Sequence, residues 1–146
     1  MADIEGEIII HRPVEVVFDF VADERNEPLY NPAMIQVEKI SEGPIAAGTR
    51  FKAETRTGKR TADMIIEFVS YERPHRLSSL TTMSAMAIEG TLIFSAVEQG
   101  TLMRWLWFIK PRGFLRIISP VIRMIGKRQE ERIWKSLKCY LESRDI

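Results

Sequence analysis

Groups able to move protons are present in this sequence, but they are scattered. Glu130, Asp63, Glu67, Glu89, Tyr30 and Arg104 are the candidates for acid–base work at a shared site, and their separation along the chain ranks none above the others. His11 and His75 are the only histidines, and neither has a partner at metal-ligand spacing, so no metal site is expected. Cys139, the one cysteine, lies beside Tyr140 in a helical pattern with no histidine near it, which reads as a structural thiol. A lone cysteine forms no intrachain disulfide and fits a reducing compartment. The sequence has no Gly-x-Ser-x-Gly elbow, phosphate loop or dinucleotide fingerprint, and no cofactor is expected.

Apolar surface is the more abundant signal. In Thr101–Ile109, strand alternation places Met103, Trp105 and Trp107 on one face, and Leu102, Arg104, Leu106 and Phe108 on the other. The tryptophan face is expected to point inward. Leu106 and Phe108 then need cover from a second copy of the chain or a membrane, unless the register is shifted by one. Met64, Ile66 and Phe68 alternate with Asp63, Ile65 and Glu67 and are expected inside. Met83, Met86, Ile88, Leu92 and Phe94 extend the same surface, and Ser79, Thr81 and Tyr30 add hydroxyls.

Near the C-terminus, Ile122, Gly126, Ile133, Leu137 and Tyr140 share a helical face, with Gln129 and Glu130 at its margins. Gly126 in mid-stripe either leaves room for a ligand or is a packing detail. Glu130 either hydrogen-bonds that ligand or pairs in water with Lys127 or Arg123.

These residues must be carried by a particular series of elements. Ile4–His11 reads as a strand, and Arg12-Pro13 opens a helix with Val14, Val17, Phe18 and Val21 on its stripe. Residues 26–32, with Pro28 and Pro32, form a turn holding at most a short helical piece. Six strands follow: 35–41, 49–57, 61–71, 76–83, 87–97 and 101–110, separated by short turns that include Gly58-Lys59 and Glu98-Gln99-Gly100. Short turns imply antiparallel hairpins. Ser119-Pro120 is the expected start of a helix reaching about Ser143, on the order of 35 Å long.

At 146 residues, 45% hydrophobic and 28% charged, the chain is expected to form one α+β domain over residues 1–146. A net charge of +1 gives no footprint for nucleic acid. The acidic start Met1-Ala2-Asp3-Ile4-Glu5 lacks a signal-peptide pattern and no spanning helix is visible, so a cytoplasmic protein is expected.

Pro13-Val14-Glu15-Val16-Val17-Phe18-Asp19-Phe20-Val21-Ala22-Asp23, Tyr30-Asn31-Pro32, Gly48-Thr49-Arg50-Phe51, Tyr71-Glu72-Arg73-Pro74-His75-Arg76-Leu77 and Gly100-Thr101 occur in an order that resembles the START-like, Bet v 1-like helix-grip superfamily (SRPBCC). Within it the chain is similar to the small polyketide cyclase/dehydrase type, with Tyr30 where such proteins often carry Trp. The resemblance implies a curved antiparallel sheet of about seven strands around a long C-terminal helix, with an apolar cavity between them. Relatives use that cavity for lipids, polyketides, sterols, hormones or quinones.

The expected partner is therefore an apolar small molecule. Its expected wall is Phe51, Met64, Ile66, Phe68, Met83, Leu92, Met103, Trp105, Trp107, Ile122, Gly126, Gln129, Glu130 and Ile133. The alternatives are a cyclase or dehydratase using acid–base groups in the cavity, and a docking module. The docking reading rests on residues 111–146, which carry nine Lys or Arg against four acids. There Phe114-Leu115-Arg116-Ile117-Ile118 forms an apolar wedge beside cations, suited to an anionic membrane or to a lid over the cavity.

Overall fold

A computed structural model describes residues 2–84, 86–117 and 119–144, without the side chains of Thr57, Phe114, Leu115 and Ser119. Strand β1 (Ile4–Ile10) leads into helix α1 (Val14–Val21) and a 3-10 helical stretch, Glu24–Leu29. Strands β2 (Met34–Lys39), β3 (Arg50–Thr57), β4 (Arg60–Glu72), β5 (Arg76–Thr82), β6 (Met86–Val97) and β7 (Gly100–Pro111) follow. A second 3-10 turn, Gly113–Arg116, precedes helix α2 (Ser119–Glu142). The expected Ser119 cap, Ile118 of the apolar wedge and Asp145 of the basic end lie outside the described residues or side chains.

All seven strands form one antiparallel sheet in the order β1-β7-β6-β5-β4-β3-β2. Chain order becomes spatial order from β2 to β7, and β1 then pairs with β7. Hairpins suffice for such a meander, and one of them turns at Gly100, whose φ is 138°. The architecture is the α+β helix-grip expected, with α1 and α2 on the concave face of the sheet.

Alternation decides that face. Phe51 and Ala53 of β3, Ile66 and Phe68 of β4, and Met103 and Trp105 of β7 are buried, while Lys52, Glu67 and Arg104 between them are exposed. Salt bridges Arg50–Glu67, Lys52–Asp63 and Lys110–Glu89 lie on the outer face. Asp63, Glu67, Glu89 and Arg104 are therefore turned away from the concave side. Phe108, also on the outer face, is 40% exposed.

One end of the concave face is filled. The ring of Phe18 from α1 meets Phe94 at 5.1 Å and Tyr71 at 5.3 Å, edge to face. Phe51 and Phe68 pack at 5.4 Å, and Leu137 and Leu141 of α2 are fully buried in the same core. Each such side chain contributes about 1.5–3 kcal/mol of apolar burial.

Polar contacts fix the C-terminal end of α2 over that core. Arg12 donates to the carbonyls of Glu142 at 2.8 Å and Arg144 at 2.6 Å. Lys138 reaches the carbonyl of Ile9 at 2.7 Å and the Glu142 carboxylate at 2.6 Å, and that carboxylate also accepts from the His11 backbone N–H at 2.8 Å. Nearer the start of the helix, Asp3 bonds the Ile109 N–H at 2.7 Å and pairs with Arg123 at 3.0 Å.

Candidate functional site

The other end of the grip is open. A cavity of about 560 Å³ lies between the sheet and the N-terminal half of α2. Its wall follows the register of the sheet: Met64 and Ile66 from β4, Leu77, Ser79 and Thr81 from β5, Met86, Ile88, Gly90 and Leu92 from β6, and Trp107 and Ile109 from β7. From α2 come Ile122, Ile125, Gly126, Gln129, Glu130, Ile133 and Trp134. The volume is in the range of small-molecule sites, and apolar side chains dominate the lining.

Of the residues read from the sequence as wall, Met64, Ile66, Met83, Leu92, Trp107, Ile122, Gly126, Gln129, Glu130 and Ile133 line this space. Phe51, Phe68, Met103 and Trp105 do not, and neither does Phe94. They occupy the correct face of their strands but the filled end of the sheet, where α1 and the last turns of α2 take up the room. The alternative reading of Glu130, as a solvated partner of Lys127 or Arg123, also fails: Glu130 faces the cavity, and Arg123 pairs with Asp3.

Glycines set the shape of the wall. Gly90 stands directly across from Trp107 on the neighbouring strand, and a Cβ there would lie 2.0 Å from the indole. Gly6 and Trp105 repeat the arrangement, at 2.3 Å. Each tryptophan ring lies over a glycine that has no side chain to displace it. At Gly126 the room is already used, because a Cβ there would meet Ile4 Cδ1 at 2.6 Å. Gly126 brings the helix close to β1, and the space it leaves holds Ile4.

The 3-10 stretch Glu24–Leu29 adds groups that the sequence reading passed over. Glu24 and Glu27 line the cavity with Tyr30 and Asn31. Asn31 is buried and donates to the Glu27 carboxylate at 2.7 Å. Glu24 stands beside Glu27, close enough for the two carboxyls to disfavour each other's charge. Burial, and then the nearby carboxylates of Glu27, Asp23 and Glu130, push the Glu24 pKa well above the usual carboxylate range.

Glu130 comes to the same place from α2. Burial and the charge of Glu27 raise its pKa to about 7, against a smaller opposing pull from the indoles of Trp107 and Trp134. Those two indole N–H groups lie near Glu130 yet are buried without a partner at hydrogen-bond geometry. Tyr30 is buried with its ring 6.0 Å from that of Trp134, and burial beside the same carboxyls pushes its phenol well above the usual range. Of the six acid–base candidates, only Glu130 and Tyr30 reach the cavity.

Two signals for the missed residues were present. Glu130, Trp134, Leu137 and Leu141 recur at helical spacing, which marks Trp134 as inward. Glu24 and Glu27 are three residues apart, the period of a 3-10 turn, beside the Tyr30-Asn31-Pro32 motif.

Comparison with known proteins agrees with this architecture. Residues 1–142 match the family described as polyketide cyclase / dehydrase and lipid transport. A crystal structure of a protein from Thermus thermophilus is similar at TM-score 0.78 and 16% identity, over 92% of this chain and 93% of that one. A START superfamily protein from Mycobacterium smegmatis aligns at TM-score 0.78 and 11% identity, over 96% and 97%. The Zhui aromatase/cyclase from Streptomyces sp. R1128 aligns at TM-score 0.77 and 10% identity, over 97% and 93%. At such identities the likeness is one of fold. No curated protein matches the sequence.

Proposed function

The chain belongs to the polyketide cyclase/dehydrase and lipid transport family, and we propose that it binds an apolar small molecule of the lipid, polyketide or quinone class in its internal cavity. The observation that carries this reading is the cavity of about 560 Å³, walled by Met, Ile, Leu and Trp side chains from the sheet and α2. Apolar burial supplies affinity at about 25 cal/mol per Å², and the polar groups at one side set orientation. Native mass spectrometry of protein purified gently from its own host tests this. A stoichiometric apolar adduct is the expected result. Empty protein that also ignores a panel of lipids, polyketides and quinones overturns it.

Loading from a membrane fits the same reading. Val121, Met124 and Ile125 on the first turns of α2, with Ile117 just before it, are exposed close to Arg116, Arg123, Lys127 and Arg128. Apolar side chains among cations suit an anionic bilayer. Co-sedimentation with phosphatidylserine vesicles, falling at high salt and in Met124→Glu, is the expected outcome. Equal binding to phosphatidylcholine vesicles removes the electrostatic part of the reading.

A second reading is supported by Glu130. A carboxyl with a pKa of about 7, facing an apolar space, is poised to give a proton to a carbonyl oxygen or take one from a neighbouring carbon. That is the chemistry a cyclase or dehydratase needs. Turnover of a poly-ketone substrate that is lost in Glu130→Gln, with a rate profile bending near the pKa of that carboxyl, supports it. Turnover unaffected by the substitution rejects Glu130 as its acid.

A further inference from the structure

Three features of the cavity point to a charge the chain does not balance. Glu24, Glu27 and Glu130 line one side of it, yet Arg56 is the only basic residue in the described wall, and Arg56 is exposed. The indole N–H groups of Trp107 and Trp134 are buried near Glu130 without a hydrogen-bond partner, and Trp134 is only 5% exposed. The rings of Tyr30, Trp107 and Trp134 line the same cavity, Trp107 and Trp134 near Glu130 and Tyr30 packed beside Trp134. The three carboxyls are partly buried, and the hydrogen bond from Asn31 to Glu27 is the one made to them among the described residues; carboxyls gathered in such a place are ordinarily compensated by a cation. Among the described residues no three acidic, His or Cys side chains are placed to hold a metal ion.

We propose that the ligand of this cavity carries a protonated nitrogen, seated between the carboxyls of Glu24, Glu27 and Glu130 and against the rings of Tyr30, Trp107 and Trp134. The proposal rests on the cavity-binding reading and names its ligand class: an organic ammonium on an apolar body. One group accounts for all three features. An ammonium compensates the carboxyls over distances longer than metal coordination allows, because Coulomb attraction is strong in a water-poor site. Aromatic faces attract it through their quadrupoles. With a cation alongside, Glu130 ionises, and its oxygens then accept from the two indole N–H groups. The apolar remainder of the ligand extends past Ile88, Ile109 and Ile122.

Three probes of equal chain length test the head-group preference: dodecylamine, dodecanol and dodecanoate, titrated at mildly alkaline pH below their solubility and micelle limits and followed by calorimetry and tryptophan fluorescence. Dodecylamine is expected to bind at least tenfold more tightly than dodecanol, and dodecanoate more weakly than either. Glu27→Gln and Glu130→Gln keep the shape of the side chains and one acceptor oxygen while removing the charge. Each is expected to lower the ratio of dodecylamine to dodecanol affinity severalfold, and circular dichroism with thermal unfolding verifies that each variant is folded. Dodecanol or dodecanoate binding as tightly as dodecylamine overturns the ammonium inference and leaves the apolar-cavity reading standing. An amine preference that survives in the Glu27→Gln, Glu130→Gln double variant also overturns it. Failure of dodecylamine to bind overturns this inference, and the cavity reading falls with it only where the wider panel of lipids, polyketides and quinones also fails to bind.

Discussion

Glu130 carries a titration that stability measurements can read. Its pKa is about 7 in the folded chain against an ordinary 4.5, so between these values the folded state holds a proton that the unfolded state has lost. Stability from this group is full below pH 4.5 and falls as pH rises through about 7. The loss is at most about 3 kcal/mol, at about 1.36 kcal/mol per pH unit. Glu24, also raised, acts in the same direction. Asp23 and Glu142 are lowered by Arg25 and Lys138, so their contributions change only in more acid solution. Urea unfolding at about pH 5 and about pH 8 is therefore expected to show a difference that shrinks in Glu130→Gln, with the variant the more stable protein at the higher pH. An unchanged difference places the titration elsewhere. Gly90 allows a second residue-level prediction. A methyl group 2.0 Å from Trp107 must push the indole off the wall. Overpacking of this kind costs about 1–3 kcal/mol, so Gly90→Ala is expected to lower the unfolding midpoint and shift tryptophan emission. A silent variant means the ring has another resting place.

At the scale of elements, α2 is tied more heavily at its C-terminal end than near its start, where the Arg123–Asp3 pair and the approach of Gly126 to Ile4 hold it beside the cavity. Arg12 bonds two carbonyls at the helix C-terminus, and hydrogen bonds from a charged group contribute about 1.5–3 kcal/mol each. Arg12 is partly solvated, so Arg12→Ala is expected to cost about 2 kcal/mol in urea unfolding and to speed amide exchange in residues 137–142 more than in residues 122–130. Uniform loss of protection shows instead that the helix opens as one unit. The seven strands and two helices were legible because their periods, 2 and 3.6, are carried by residues such as Phe51-Lys52-Ala53 and Ile133–Leu137–Leu141. Alternation also marked the inward face of β4 and β7 correctly. It carries no information about position along the grip, which is why Phe68 and Trp105 read as cavity wall and lie in core. The acidic pair Glu24 and Glu27 was obscured for a different reason. A six-residue 3-10 stretch interrupted by Pro28 is too short for periodicity to declare a face. What turns it inward is packing of Tyr30 against Trp134 and Phe20, a contact between elements distant in sequence.

For the whole molecule, the size of the cavity decides how it must be regarded. A dry void costs about 24 cal/mol per Å³, so about 560 Å³ left empty would cost on the order of 13 kcal/mol. Domains of this size have only about 5–15 kcal/mol to lose. The space is thus no packing defect; water or a ligand fills it, and a ligand that matches the wall stabilises the fold by mass action. At about one hundred times its dissociation constant such a ligand adds about 2.7 kcal/mol, which for a chain this long raises the unfolding midpoint by about 5–10 °C. Filling the cavity covalently separates this effect from binding elsewhere on the surface. Ser79 points into the cavity from β5, where an aromatic ring meets open space. Ser79→Phe is expected to leave the unfolding midpoint unchanged or slightly higher. It should weaken apolar ligands at least tenfold and abolish the ligand-induced rise in midpoint. If the variant folds and the rise persists, the ligand binds outside the grip, and the exposed apolar turns at Val121 and Met124 become the place to look for it.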